Sequence, residues 1–146
     1  MSDLKIAVVG AAGRMGRMLI SAVSSTPGLT LTGAIEREGS PFFGQDSGGL
    51  AGCGFNKVLI SDNPLSAIAA ADALIDFSTP GTTTQLAELT AQARIVHVIG
   101  TTGLSIEDLK KIEAAARHAV IIRSGNMSLG VNLLSAIVRS EEHTSE

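Results

Sequence analysis

Gly10, Gly13 and Gly16 stand three residues apart, and the apolar run Ile6-Ala7-Val8-Val9 ends immediately before the first of them. Glycines at this spacing, between a strand and a helix, suit the cradling of a phosphate. Gly10 allows a sharp exit from the strand, and Gly13 lets a pyrophosphate approach the backbone. Gly16 lets the helix pack closely on the sheet, with free N–H groups and the positive end of the helix dipole facing the anion. The pattern is G-x-x-G-x-x-G rather than the commoner G-x-G-x-x-G, and the physics is the same. Glu36 follows Gly16 by 20 residues, where an acid accepts hydrogen bonds from an adenosine ribose. Its neighbour Arg37, or Arg14 at the start of the helix, offers a guanidinium to a 2′-phosphate instead. Having both suggests tolerance of NADH and NADPH; the plainer alternative is two exposed charges at a strand end.

Other reactive side chains carry less. His97 lies inside an apolar run and is expected to be a hydrogen-bonded core histidine, while His118 ends a helix, where positive charge suits the dipole. No His, Cys or carboxylate spacing points to a metal, and no Ser-His-Asp constellation is evident. The single cysteine, Cys53, is expected to be a small residue in a glycine-rich loop without disulfide or catalytic role.

The elements that must hold these residues follow from periodicity. Ile6–Val9 is expected as a strand, followed by a helix whose apolar face is Met15, Met18, Leu19, Ala22 and Val23, stopped by Pro27-Gly28. Leu29–Ile35 completes a βαβ unit. A glycine-rich loop follows, containing Gly39, Gly44, Gly48, Gly49, Gly52 and Gly54, either covering a site or simply lying on the surface. Then come strand Val58–Ile60, a helix Pro64–Ala71 opened by Asn63-Pro64, strand Ala73–Phe77, and a helix starting at Pro80. Strand Ile95–Ile99, a helix to His118 opened by a Ser105/Asp108 capping box, strand Ala119–Arg123 and a last helix from Ser128 finish the pattern. Strands alternating with helices imply an α/β, Rossmann-type doubly wound parallel sheet. The glycine- and hydroxyl-bearing turns all fall at C-terminal strand ends, where such sheets bind ligands.

Bulk composition excludes some partners. With 146 residues, a net charge of −3, 3% aromatics and no Trp or Tyr, the chain lacks the basic footprint and stacking platforms of a nucleic-acid binder. No apolar run approaches a membrane span, and no secretory signal is apparent. A cytoplasmic protein binding neither nucleic acid nor membrane is expected.

Five motifs in order make the chain resemble the N-terminal half of the 4-hydroxy-tetrahydrodipicolinate reductase (dihydrodipicolinate reductase) family of lysine and diaminopimelate synthesis. They are Val9-Gly10-Ala11-Ala12-Gly13-Arg14-Met15-Gly16-Arg17, then Glu36-Arg37-Glu38-Gly39-Ser40 with Gly44-Gln45-Asp46 through Leu50-Ala51-Gly52. Next are Ile75-Asp76-Phe77-Ser78, Val98-Ile99-Gly100-Thr101-Thr102-Gly103, and Asn126-Met127-Ser128-Leu129-Gly130-Val131-Asn132. The resemblance implies that Gly10, Ala11, Ala12, Gly13, Arg14 and Met15 wrap the pyrophosphate of NADH or NADPH, with Glu36 and Arg37 at the adenosine ribose. It implies that Gly100, Thr101, Thr102, Ser124, Gly125, Asn126 and Met127 contact the nicotinamide half. Hydride passes in this family from NAD(P)H to a small cyclic dicarboxylate, with acid/base residues and a homotetramer interface in a second domain.

That domain, and a C-terminal segment returning to complete the nucleotide-binding domain, are absent from this sequence, so the doubly wound domain is expected to be incomplete. Residues 1–138 are expected to form the NAD(P)-binding domain. Residues 139–146 resemble an adapter read-through; a genuine acidic tail is the alternative. Cofactor binding without reductase turnover is expected, with no catalytic residue and no metal ligand in the chain. Another nicotinamide oxidoreductase with a similar N-terminal domain, or a non-catalytic dinucleotide-binding module, are the competing readings.

Overall fold

The computed structural model describes residues 3–123. The last helix expected from Ser128, the tail at 139–146 and the site residues Ser124, Gly125, Asn126 and Met127 lie outside the described residues. Eleven elements follow one another along the described chain: β1 (Leu4–Val9), α1 (Arg14–Ser25), β2 (Leu29–Ile35), α2 (Ser47–Ala51), β3 (Ile60–Ser61), α3 (Pro64–Ala69), β4 (Ala73–Asp76), α4 (Pro80–Ala93), β5 (Val96–Ile99), α5 (Ile106–Ala115) and β6 (Ile121–Arg123). The six strands form one parallel sheet in the order β3-β2-β1-β4-β5-β6. This is the α/β, Rossmann-like arrangement. The chain winds outward from β1 in one direction, then returns to β4 and winds outward in the other. The carboxyl ends of β1 and β4 therefore flank the crevice at which the winding direction reverses.

Burial on both faces explains why the strands are almost wholly apolar. Ile6, Val8, Ile75 and Val98 face α1, packing with Leu19, Ile20 and Val23. Ala7, Val9 and Leu74 face the other way, with Ile68 of α3 and Leu86 of α4. Ile99 continues that second layer under Ala87, Ala91 and Ile112. Side chains alternate across the pleat, so successive strand residues divide between these two layers.

The buried stripe of α1 is rotated from the expected one. Gly16, Leu19, Ile20 and Val23 are buried, whereas Met15 and Met18 are 39% and 50% exposed. Gly16 sets the stripe, because it lies so close to the Gly10 carbonyl and the Ala11 Cα that a side chain there would overlap them. The helix rolls its smallest residue onto the strand exit, and Met15 turns outward.

Local capping chemistry sets the other starts. Asn63 caps α3 through the Ser66 N–H, and Thr79 caps α4 through the Thr82 N–H, each with proline in the first turn. Ser105 and Asp108 form the expected reciprocal box on α5. The helices stop sooner than expected, at Ala69 and Ala115, and the third strand sits later, at Ile60–Ser61. The glycine-rich segment is not all loop. Asp46 caps α2 within it, and its carboxylate accepts N–H bonds from Gly49, Asn56 and Lys57 at 2.9, 3.2 and 2.8 Å. The Gly49 bond leads, and with the Asn56 and Lys57 bonds it outweighs the opposing effect of burial and holds the Asp46 carboxyl below its ordinary value. One carboxylate thus ties two ends of a segment whose glycines gave no helical signal.

Candidate functional site

β1 delivers the chain to Gly10, whose φ of +81° is reached there without a Cβ penalty. Two N–H groups of the turn are committed to the sheet, Gly10 and Ala11 both donating to the Ile35 carbonyl at 2.9 and 3.1 Å. The Ala12 N–H donates to Glu36 Oε2 at 3.0 Å, so the acid at the end of β2 is fastened to the glycine turn. Arg17 Nε–H closes the turn from the helix side onto the Ala12 carbonyl at 2.8 Å. Its guanidinium lies 5.3 Å from the Phe42 ring centroid, a cation–π contact that connects the glycine-rich segment to α1.

Beyond Gly13 the first turn of α1 has no side-chain cap. The N–H groups of Arg14, Met15 and Gly16 have no acceptor among the described residues. An uncapped helix start presents unpaired donors and a partial positive charge to whatever lies outside it. Gly13 faces the same place with backbone φ −74° and ψ 170°. A Cβ there would meet only the Gly10 carbonyl, at 3.4 Å, an ordinary contact. Neither the fold nor the dihedrals demand a glycine at this position.

In front of the turn lies a cleft of about 490 Å³. Gly10, Gly13, Glu36 and Arg37 of the expected site line it, with Glu38, Asp62, Phe77, Ser78, Thr79 and Thr82 on the remaining walls. Ala11 and Ala12 are buried beneath the turn, and Arg14 is exposed at its edge. Gly100, Thr101 and Thr102 stand at the next strand end and do not line this cleft. The Phe77 ring lies over Gly100 where a side chain would otherwise stand, and the Phe77 carbonyl would be 3.3 Å from a Cβ on Gly10. Phe77 thus sits between the two glycine turns. Thr101 points its hydroxyl inward, 2.6 Å from that of Thr83, while Thr102 is exposed.

Sequence reasoning counted the hydroxyl-bearing turn after β4 among the strand ends that gather at a ligand site but gave Phe77, Ser78, Thr79 and Thr82 no individual role. The signal was a carboxylate closing an apolar strand, Asp76, followed by hydroxyl residues and proline. Asp76 and His97 are both fully buried, with His97 Nε2 3.1 Å from Asp76 Oδ2. His97 Nδ1 lies 3.3 Å from Thr90 Oγ1, so both ring nitrogens are partnered, as expected of a core histidine. Burial pushes the Asp76 carboxyl up. The hydrogen bonds from His97 and Ser78, the attraction of the His97 ring and the Thr83 hydroxyl outweigh that and hold it below its ordinary value. Among the described residues there is no cluster of three or more side chains suited to a metal ion, and no helix long and apolar enough to cross a membrane.

The family model described as dihydrodipicolinate reductase, N-terminus, matches residues 4–127. The 4-hydroxy-tetrahydrodipicolinate reductase of Methylocella silvestris is 58% identical over 144 residues, which is 99% of this chain and 53% of that protein. The chain therefore spans about half the length of the curated relatives it matches. Among solved structures, a dipicolinate-bound dihydrodipicolinate reductase from Paenisporosarcina sp. TG-14 superposes with TM-score 0.61 at 23% identity, over 78% of this chain and 43% of that one. Biliverdin reductase from Synechocystis sp. PCC 6803, solved with biliverdin and NADP+, gives 0.66 at 14% identity over 83% and 37%. At such identities the likeness is one of fold.

Proposed function

This chain belongs to the dihydrodipicolinate reductase family through its N-terminal part, and we propose that it is the dinucleotide-binding portion of an NAD(P)H-dependent reductase of 4-hydroxy-tetrahydrodipicolinate. One observation carries the reading. Gly13 lacks a side chain although the fold leaves room for one, and it does so beside three unpaired helix N–H groups at the mouth of a cleft. A residue kept small for no internal reason, against free donors, fits an anionic group pressed onto the backbone.

The residues present fit a dinucleotide. Arg14, Met15 and Gly16 would hold the pyrophosphate through their N–H groups, with Gly10 to Gly13 as the floor. Glu36, held by the Ala12 N–H, would accept from the adenosine ribose hydroxyls. Arg37, exposed at the cleft edge, would meet a 2′-phosphate. Having both groups supports use of NADH and NADPH alike. A bound reduced nicotinamide supplies hydride, chemistry that protein side chains do not offer. Gly100, Thr101 and Thr102, with Ser124, Gly125, Asn126 and Met127, are assigned to the nicotinamide half. Binding of the dicarboxylate and supply of the proton are assigned to the part of the relatives that this chain does not span.

The test is titration of the 146-residue chain with NADH and NADPH, followed by the nicotinamide's own emission because the chain has no Trp. Saturable binding of either, without reductase turnover, is expected. Absence of binding by a folded chain overturns the cofactor assignment, and measurable turnover overturns the placement of the catalytic groups elsewhere.

A further inference from the structure

Between the sheet and α4 runs a buried polar chain that cofactor binding by the glycine turn does not use: Thr90, His97, Asp76 and Ser78. His97 and Asp76 occupy neighbouring strands, and each is 0% exposed. An ionised carboxylate only accepts hydrogen bonds, so the proton in the 3.1 Å contact with Asp76 Oδ2 sits on His97 Nε2. The other carboxylate oxygen is held by Ser78, with the Thr101 hydroxyl 3.5 Å away and Thr83 Oγ1 3.5 Å from Ser78 Oγ. Asp76 Oδ1 accepts the Ser78 N–H at 3.0 Å and also the Ser78 hydroxyl. Both donors of Ser78 are thereby consumed, while Ser78 itself lines the cleft.

We propose that His97 and Asp76 are a positioning pair that fixes Ser78 Oγ as a hydrogen-bond acceptor toward the cleft, selecting a ligand O–H or N–H at that wall. The inference rests on the dinucleotide reading. It gives the cleft two lips of opposite character. The α1 lip carries free N–H donors for phosphate; the Ser78 wall offers lone pairs and disfavours phosphate oxygens. A dinucleotide has groups for both, because its sugar hydroxyls and exocyclic amine are donors. His97 acts at a distance: its N–H keeps Asp76 ionised in an apolar layer, and the ionised carboxylate holds the Ser78 proton. A neutral, protonated Asp76 would donate to its neighbours and free the Ser78 hydroxyl to turn outward.

The test is a double-mutant cycle on NADH affinity in the 146-residue chain, with melting temperature recorded for every variant. Ser78→Ala and His97→Leu are each expected to weaken NADH binding about tenfold. The double variant is expected to be no weaker than either single one, because both act on the same hydrogen-bond acceptor. His97→Gln keeps a side-chain N–H within reach of Asp76 and is expected to bind within about threefold of the parent. Unchanged affinity in folded His97→Leu, or additive losses in the double variant, overturns the proposal. Should His97→Leu not fold, a loss in folded His97→Gln as large as that in Ser78→Ala also overturns it. Failure of the unmodified chain to bind NADH would be failure of the dinucleotide reading, which the same titration separates.

Discussion

Replacing Gly13 with valine separates ligand binding from folding. Its φ of −74° and ψ of 170° are extended backbone that a β-branched residue adopts readily. The new Cβ meets only the Gly10 carbonyl at 3.4 Å. Stability is therefore expected to change by no more than about 1 kcal/mol, because a loss of about 0.5–1 kcal/mol from valine at the N-cap is offset by a gain of about 0.4–1 kcal/mol from restricting the unfolded chain. Binding has no such tolerance. A phosphate oxygen must come within about 2.9 Å of the helix N–H groups, and the valine methyls stand in that approach. Losing two charge-assisted hydrogen bonds at about 1.5–3 kcal/mol each weakens affinity by 3 kcal/mol or more, roughly 100-fold or beyond. NADH emission titration and a thermal melt on the same sample read both quantities. An unchanged dissociation constant in a normally melting Gly13→Val protein would falsify the assignment of this turn to the pyrophosphate.

Other expectations follow from the same geometry. Gly16→Ala should behave oppositely to Gly13→Val. Its Cβ would overlap the Gly10 carbonyl, and a loss of about 1–3 kcal/mol or more on denaturant unfolding is expected, so parental stability would contradict the packing described. Glu36→Ala leaves the Ala12 N–H without its acceptor and removes the ribose partner. About 1 kcal/mol of stability and about tenfold in NADH affinity should go, and titration with retained affinity would count against the ribose role. Ser105→Ala removes half of the capping box and should cost about 1 kcal/mol in chemical denaturation. The carboxyls of Asp46, Asp76 and Asp108 are held below their ordinary 3.8, so the unfolded chain binds more protons around that pH. Their contribution is fully present above the unfolded value and is lost as pH falls through the lower folded values. Unfolding midpoints should be level above about pH 5 and fall below about pH 4. Asp76→Asn should flatten part of that acid limb, and an unchanged limb would show that Asp76 does not contribute to it.

Much of this was legible without coordinates because the signals are local. A strand buried on both faces must be a short apolar run, and Leu29–Ile35 was bounded as expected because Pro27-Gly28 stops the helix before it. Proline in the first turn and the Ser105/Asp108 pair mark helix starts within a few residues of themselves. The glycine turn is marked by its spacing, so its place between β1 and α1, with Glu36 directly after β2, was apparent from residue order alone.

Tertiary structure decided what depends on residues far apart in sequence. Periodicity could not say that α1 buries Gly16 rather than Met15, since the cause is the approach of the Gly10 carbonyl. The motif's spacing had given Gly16 to close packing and Gly13 to a phosphate's approach; the structure supplies the physical ground for the difference, since a side chain fits at Gly13 and none fits at Gly16. Phe77 standing between Gly10 and Gly100 exists only once the strands are ordered. His97 alone suggested a satisfied core residue. The Ser78 hydroxyl, two residues on, is a local partner of Asp76, but only pairing of β4 with β5 brought His97 to the same carboxylate, because a buried charge needs partners in space that its own turn does not supply.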